Sequence, residues 1–396
     1  MKRLSFNKTI LIWVLLQLGP LGALFAQDNW ISYTTENTLL VDNQINDILI
    51  VDSIKWVGTG WGLYSYDNSL WVNYTDFLPH PRVNSISSDN EGNIYVCTLS
   101  GIAIYDGVSW ESITSQNSII TSHVNEVVFD TDNNAYVGTI DGLFKISDDG
   151  TITTLLDSSS LESNFINVRC LSFKNDSLCI GTVNGGLAYM YNDSISWYNT
   201  TNGLIDNTST DILIDEENIW LTAPYGGLIS HLSTGNFLVF NTGYFDNWPS
   251  NSLNTLYNDQ EEDLFYIGSS GGGFFSFTYE SGVQNTNTYN TDNSGLINDY
   301  VLCIEKDDNG YWIGTEGGLV YWSTVSDIEY LLNKKAVFSQ YNSTVYFEES
   351  RDVNIYSIDG KLVFSTENKT SVNLSFLTKG YYIIELNGLP SMLLLN

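Results

Sequence analysis

Short runs in which apolar and polar residues alternate, each closed by glycine, fill the chain from about residue 45 to residue 322. The clearest is Trp312-Ile313-Gly314-Thr315-Glu316-Gly317-Gly318-Leu319. It reads as the end of a strand, a glycine turn and the start of the next strand, with glycine supplying the positive φ that a side chain resists. The unit recurs as Trp56-Val57-Gly58-Thr59 with Gly62-Leu63, Tyr136-Val137-Gly138-Thr139 with Gly142-Leu143, and Cys179-Ile180-Gly181-Thr182 with Gly186-Leu187. Weaker copies surround Cys97, Thr222 and Gly268. Marking the first glycine or its substitute gives positions 58, 97, 138, 181, 222, 268 and 314, with steps of 39, 41, 43, 41, 46 and 46 residues. A period of about 40–50 residues in β-type sequence predicts the blades of a propeller.

Each repeat carries two strands up to its glycine turn, a third after it and a fourth that begins with an aromatic residue, as in Trp71-Val72-Asn73-Tyr74. Trp30-Ile31-Ser32-Tyr33-Thr34 has this fourth-strand pattern but no repeat before it, and the seventh repeat ends at Trp322 without a fourth strand. Residues 30–34 are therefore expected to complete the last blade, which removes an open sheet edge. The fold class is all-β: a single seven-bladed β-propeller over 27–328, closed by the N-terminal strand. The Trp56, Trp220 and Trp312 column, repeating in register, is expected in the core. The period stops from Thr324, and residues 329–396 are read as a linker and a separate C-terminal domain. Val353 to Val363 and Val372 to Ile384 read as an Asp-Gly hairpin and a buried strand of a small β-sandwich domain.

Composition narrows the class. Aromatics make up 14% and charged residues 15% of the chain, and Lys+Arg 15 against Asp+Glu 46 give a net charge of −31. Such a surface repels phosphate, which argues against nucleic acid and anionic lipid as partners. Residues 1–26 read as a signal peptide, with Lys2, Arg3 and Lys8 before the apolar Ile10 to Leu18 and a small-residue stretch ending at Ala26. No other apolar run is long enough for a transmembrane span. The protein is thus expected to be secreted or at the cell surface, exported through the periplasm. Cys97, Cys170, Cys179 and Cys303 fall in inner-strand positions and are read as core thiols, with Cys170 and Cys179 diagonal rather than paired.

The string Asp307-Asp308-Asn309-Gly310-Tyr311-Trp312-Ile313-Gly314-Thr315-Glu316-Gly317-Gly318-Leu319 resembles the two-component regulator propeller repeat. The resemblance implies a propeller over residues 45–322 and, from the sensor modules of that family, recognition of oligosaccharides. No kinase accompanies the repeats here, so the resemblance carries over a ligand-binding propeller and not a sensor. Ile355-Tyr356, Asp359-Gly360-Lys361-Leu362-Val363 and Leu374-Ser375 with Gly380-Tyr381-Tyr382 resemble the type IX secretion system C-terminal sorting domain. That resemblance implies a partner in the type IX secretion machinery and export across the outer membrane.

Propellers bind ligands on the face built by the glycine turns and the loops entering each first strand. The turns place Trp61, Tyr225 and Glu316 there; the entering loops add His80, Arg82, His123, Arg169, Tyr244, Phe245 and Trp248. Aromatic faces with a few fixed polar groups suit a sugar. Only Arg82, Arg169 and Arg351 remain after the signal segment, and the first two begin inner strands. They either neutralise channel carboxylates such as Asp47 and Glu126 or meet a ligand. No Gly-x-Ser-x-Gly elbow, His-Glu-x-x-His pair or phosphate loop occurs, and neither cofactor nor metal is expected. The reading is a non-enzymatic binder of a glycan or a cell-surface protein. The alternatives are a polysaccharide or lactone lyase using His80 or His123 as base, and a structural component of the secretion apparatus.

Overall fold

The computed structural model describes residues 30–116, 118, 123–157, 166–192, 194–215, 218–231, 236–243, 248–279, 283–323, 338–341, 344–357, 361–375, 377, 380–386 and 389–395. The signal segment 1–26, the expected boundary at 328 and the loop residues Tyr244 and Phe245 lie outside them. The chain divides into two compact units after Trp322.

The first unit contains seven four-stranded antiparallel sheets in sequence order. The inner strand of each packs against the inner strand of the next, and Val301–Asp307 of the seventh returns against Ile45–Val51 of the first. The seventh sheet is completed by Trp30–Tyr33, whose residues pair antiparallel with Trp322 to Leu319. Trp30 stacks on Trp322 at 5.2 Å and 6°. The ring is therefore closed by its own N-terminal strand, as the orphan fourth-strand pattern requires.

Two glycines in each signature serve different ends. The second is the turn glycine: Gly142 sits at φ +144°, and a Cβ there would meet the Leu156 carbonyl oxygen at 2.0 Å. The first is not a turn residue. Gly58 and Gly314 lie within strands, and the space for their side chains is taken by the inner strand of the next blade and, at Gly314, by Cys303 of its own inner strand as well. A Cβ on Gly58 would stand 2.4 Å from Val83 Cγ1, and one on Gly314 would stand 2.3 Å from Cys303 Sγ and 2.8 Å from Ile45 Cγ2. Sequence reasoning assigned both glycines to the turn; close blade-to-blade approach is the reason for the first. The threonine after it is buried and donates its hydroxyl to the carbonyl of the turn glycine, at 2.7 Å from Thr315 to Gly318 and 3.0 Å from Thr59 to Gly62.

The aspartate of the signature also has a defined task. Asp307 Oδ1 accepts the Asn309 amide at 3.0 Å, while Oδ2 accepts the Trp312 indole at 2.9 Å and pairs with Lys55 of the first blade at 3.0 Å. Lys55 is only 1% exposed and donates further to Ser53 O and Asn68 Oδ1, so this buried ion is fully satisfied. Trp56, Trp220 and Trp312 are buried as expected, and all four cysteines are free and buried. Ser172, not Cys170, faces Cys179, which keeps those two thiols diagonal.

The second unit is a small β domain in which five strands join as one hydrogen-bonded sheet. Its long strand Thr344–Ser357 pairs with Leu362–Asn373 along one edge, and with Phe338–Tyr341 and then Gly380–Leu386 along the other. Val353, Ile355, Val372, Leu374 and Ile384 form its core.

Candidate functional site

The axis of the propeller opens on the glycine-turn face into a cavity of about 640 Å³, lined by residues from all seven inner strands. Those strands begin with a repeated irregularity. In six blades one residue is skipped in the pairing: Asn46, Asn84, Asn125, Arg169, Asn254 and Leu302. Such a bulge re-aims a side chain without ending the strand. Asn46 Nδ2 donates to Val83 O at 2.6 Å, Asn84 to Val124 O at 2.7 Å, Asn125 to Val168 O at 2.6 Å and Asn254 to Val301 O at 2.9 Å. Thr210 does the same in the fifth blade, to Leu253 O at 2.7 Å. Each side chain clamps its blade to the next. The recurring aliphatic-Asn-x-aliphatic start of the inner strands carried this signal, which sequence reasoning missed.

One layer deeper, carboxylates make a second set of ties. Asp47 accepts the Ile86 amide at 2.6 Å, Glu126 the Leu171 amide at 2.6 Å and Asp211 the Leu256 amide at 2.8 Å. Burial pushes the Asp47 carboxyl up to about 7, with the Asp211 charge adding to the shift. Burial likewise raises Glu126 well above its ordinary range, and Asp211 is raised by burial and partly relieved by the Leu256 and Ile212 amides, the Thr255 hydroxyl and, last, the Arg169 charge. Glu305, on the seventh inner strand, is pushed by burial and then by Asp47 to about 8.

Of the residues singled out from sequence, the structure brings Arg82, His123 and Arg169 together on the cavity wall. His80 adjoins them, its Nδ1 accepting the Arg82 amide at 3.0 Å. His123 is held below its ordinary value, chiefly by burial and then by the Arg82 charge. Neither arginine stands within ion-pair distance of a carboxylate among the described residues. The carboxylates that sequence reasoning offered as their partners are occupied with backbone amides instead.

Trp61, Tyr225 and Glu316 are exposed on glycine turns around the mouth and do not line the cavity; Trp61 is 57% and Tyr225 85% exposed. Trp248 is a correction. At 4% exposure it packs on Phe275 at 4.5 Å and Phe277 at 6.1 Å in the core between the fifth and sixth blades, so its ring presents no face to a ligand. Its position before the sixth inner strand put it on the loop face, but a large aromatic there gains more by filling the blade interface.

A second cavity of about 480 Å³ lies at the hairpin turns on the other face. Its cations are engaged: Lys306 with Asp259 at 2.8 Å and Glu261 at 3.0 Å, Lys55 with Asp307. Tyr311 donates to Asp259. These groups fasten the sixth, seventh and first blades to one another.

Comparison with known proteins agrees with this architecture. Residues 295–317 match the two component regulator propeller model, and residues 339–391 match the secretion system C-terminal sorting domain. A chain that carries such a sorting domain is directed out of the cell, and the protein is secreted or displayed on the cell surface. Among solved structures, the extracellular domain of the putative hybrid two component system BT3049 from B. thetaiotaomicron is similar at 17% identity and a TM-score of 0.65, over 92% of this chain. PorZ, a surface component of the type-IX secretion system of Porphyromonas gingivalis, is similar at 14% identity and a TM-score of 0.52, over 89% of this chain. This chain spans 57% and 59% of the lengths of those two chains. A virginiamycin B lyase from Staphylococcus aureus aligns over 75% of this chain and 99% of its own at 11% identity, with a TM-score of 0.59. At these identities the likeness is one of fold. Among curated proteins none matches the chain.

Proposed function

We propose that the protein is a non-enzymatic binding propeller that recognises a glycan at the outside of the cell through its glycine-turn face. The observation that carries this reading is the composition of that face. A polar cavity holding two guanidiniums with no carboxylate in ion-pair distance among the described residues adjoins the turn that bears the solvent-exposed Trp61. Such a ring offers a flat face on which sugar C–H groups stack while hydroxyls meet the polar wall. The sorting domain would bring this face outside through the type IX machinery. The test is a glycan array with the full mature chain: binding that is lost in Trp61→Ala and retained in Val108→Ala, a substitution at an exposed apolar position away from the cavity, supports it. An empty array together with capture of a defined surface protein would replace the glycan by a protein ligand on the same face.

A second reading, a lyase, rests on one observation: His123 and Arg82 line the same cavity wall, the arrangement of a base next to an anion-stabilising group. Product formation from a bound polysaccharide, abolished in His123→Ala with binding retained, would favour it.

A further inference from the structure

We infer that the ligand of this face carries a carboxylate, as the hexuronate units of an acidic oligosaccharide do, and that Arg82 and Arg169 hold it at the channel mouth. The inference rests on the binding reading above and specifies its chemistry. Five blades use the residue at the start of the inner strand to clamp the neighbouring blade: Asn46, Asn84, Asn125, Thr210 and Asn254. The fourth blade places Arg169 at this position, where its side chain is exposed and makes no hydrogen bond or ion pair among the described residues. The clamp has been given up there and replaced by a cation aimed at the cavity. A guanidinium offers two parallel donors matched to a carboxylate, which an amide cannot.

Arg82 shares the wall with it, in a chain whose formal charge is −31. With so few cations available, unpaired ones at a single mouth select an anion that the rest of the surface repels. The aromatic neighbour is fixed beside this charge. The turn bearing Trp61 is tied to its own blade by Gly60 N to Gln44 O at 2.9 Å and to the Arg82 loop by Gly62 N to Pro81 O at 2.8 Å. A ring stacked on the Trp61 indole can therefore extend a C5 carboxylate towards Arg82. Depth is limited from below, because Asp47, Glu126 and Asp211 form the next layer and their carboxyl oxygens are taken up by backbone amides of the neighbouring blades.

The test is calorimetric titration of the full mature chain with tetragalacturonate, a mannuronate tetramer and a hyaluronan tetrasaccharide, each beside its methyl-esterified, uncharged form. The expected result is binding of at least one free acid, weakened tenfold or more on esterification and in both Arg82→Gln and Arg169→Gln. Asn218→Asp, an exchange in a second strand away from the mouth, should leave it unchanged, with unaltered thermal melting in every variant. Equal binding of acid and ester, or of neutral oligosaccharides alone with loss in Trp61→Ala, overturns the carboxylate inference and leaves the glycan reading standing. Absence of binding to every acid, ester and neutral glycan overturns both.

Discussion

Gly314→Ala isolates the physical reason for the first signature glycine. Its φ lies outside the left-handed region, so alanine meets no backbone strain and would by itself stabilise by about 0.5–1 kcal/mol through the unfolded chain. Against that gain, the new Cβ lands 2.3 Å from Cys303 Sγ and 2.8 Å from Ile45 Cγ2. Both neighbours must retreat to reach ordinary contact, and Cys303 has little room because its Sγ already rests 3.9 Å from Ile45 O. Overpacking of this kind costs about 1–3 kcal/mol, and two buried neighbours place this site at the upper end. The net loss is then about 2 kcal/mol. At about 2 cal/mol/K of unfolding entropy per residue, a propeller of this length loses roughly 1.5–2 °C per kcal/mol, so melting should fall by about 3–4 °C. The assay is differential scanning calorimetry of the single variant, Cys303→Ala and the double variant. Removing Sγ vacates the shortest contact, so the double variant should recover more than half of the loss, with a coupling of at least about 1 kcal/mol. A melting temperature equal to or above wild type for Gly314→Ala, or strictly additive effects, would refute the close-approach argument.

Asn84→Ala should cost about 1–2 kcal/mol by removing its 2.7 Å bond to Val124 O, measured by urea unfolding, and an unchanged unfolding midpoint would contradict its role as a clamp between blades. Trp30→Ala should cost about 3 kcal/mol and make the seventh blade the first to exchange in hydrogen-exchange mass spectrometry, since Trp30 packs on Trp322 and Phe274 where the ring closes. Stability should also fall as pH rises from about 4 to about 8. Asp47 goes from 3.8 unfolded to about 7 folded and Glu305 from 4.5 to about 8, so across this window the native state holds protons that the unfolded chain has released. Full burial would make the Asp47 contribution about 4 kcal/mol, an upper bound because its side chain faces the open channel. Melting curves that are flat or rise from pH 5 to 8.5 would contradict this assignment.

The periodic glycines, the orphan Trp30 strand and the sorting-domain strings were legible because each is a local pattern that repeats or is conspicuously missing. Alternation fixes which face of a strand is buried, and a repeat of this period leaves few ways to bury it other than a closed ring. The loop face was legible to the same extent, since the strand-turn-strand pattern orders the loops, and Arg82, His123 and Arg169 do meet there. What the tertiary structure alone decided was the occupation of each position. Trp248 and Trp61 read alike as loop aromatics, yet one fills a blade interface and the other stands 57% exposed. Asp47 and Glu126 read as natural partners for the arginines, but blade docking hands them the backbone amides of Ile86 and Leu171. Gly314 read as a turn glycine, and only the arrival of Ile45 from across the closing seam, beside Cys303 of its own inner strand, gives its true reason. In each case the deciding contact joins residues of different blades or loops, and the pattern within one blade carries no information about which neighbour arrives there.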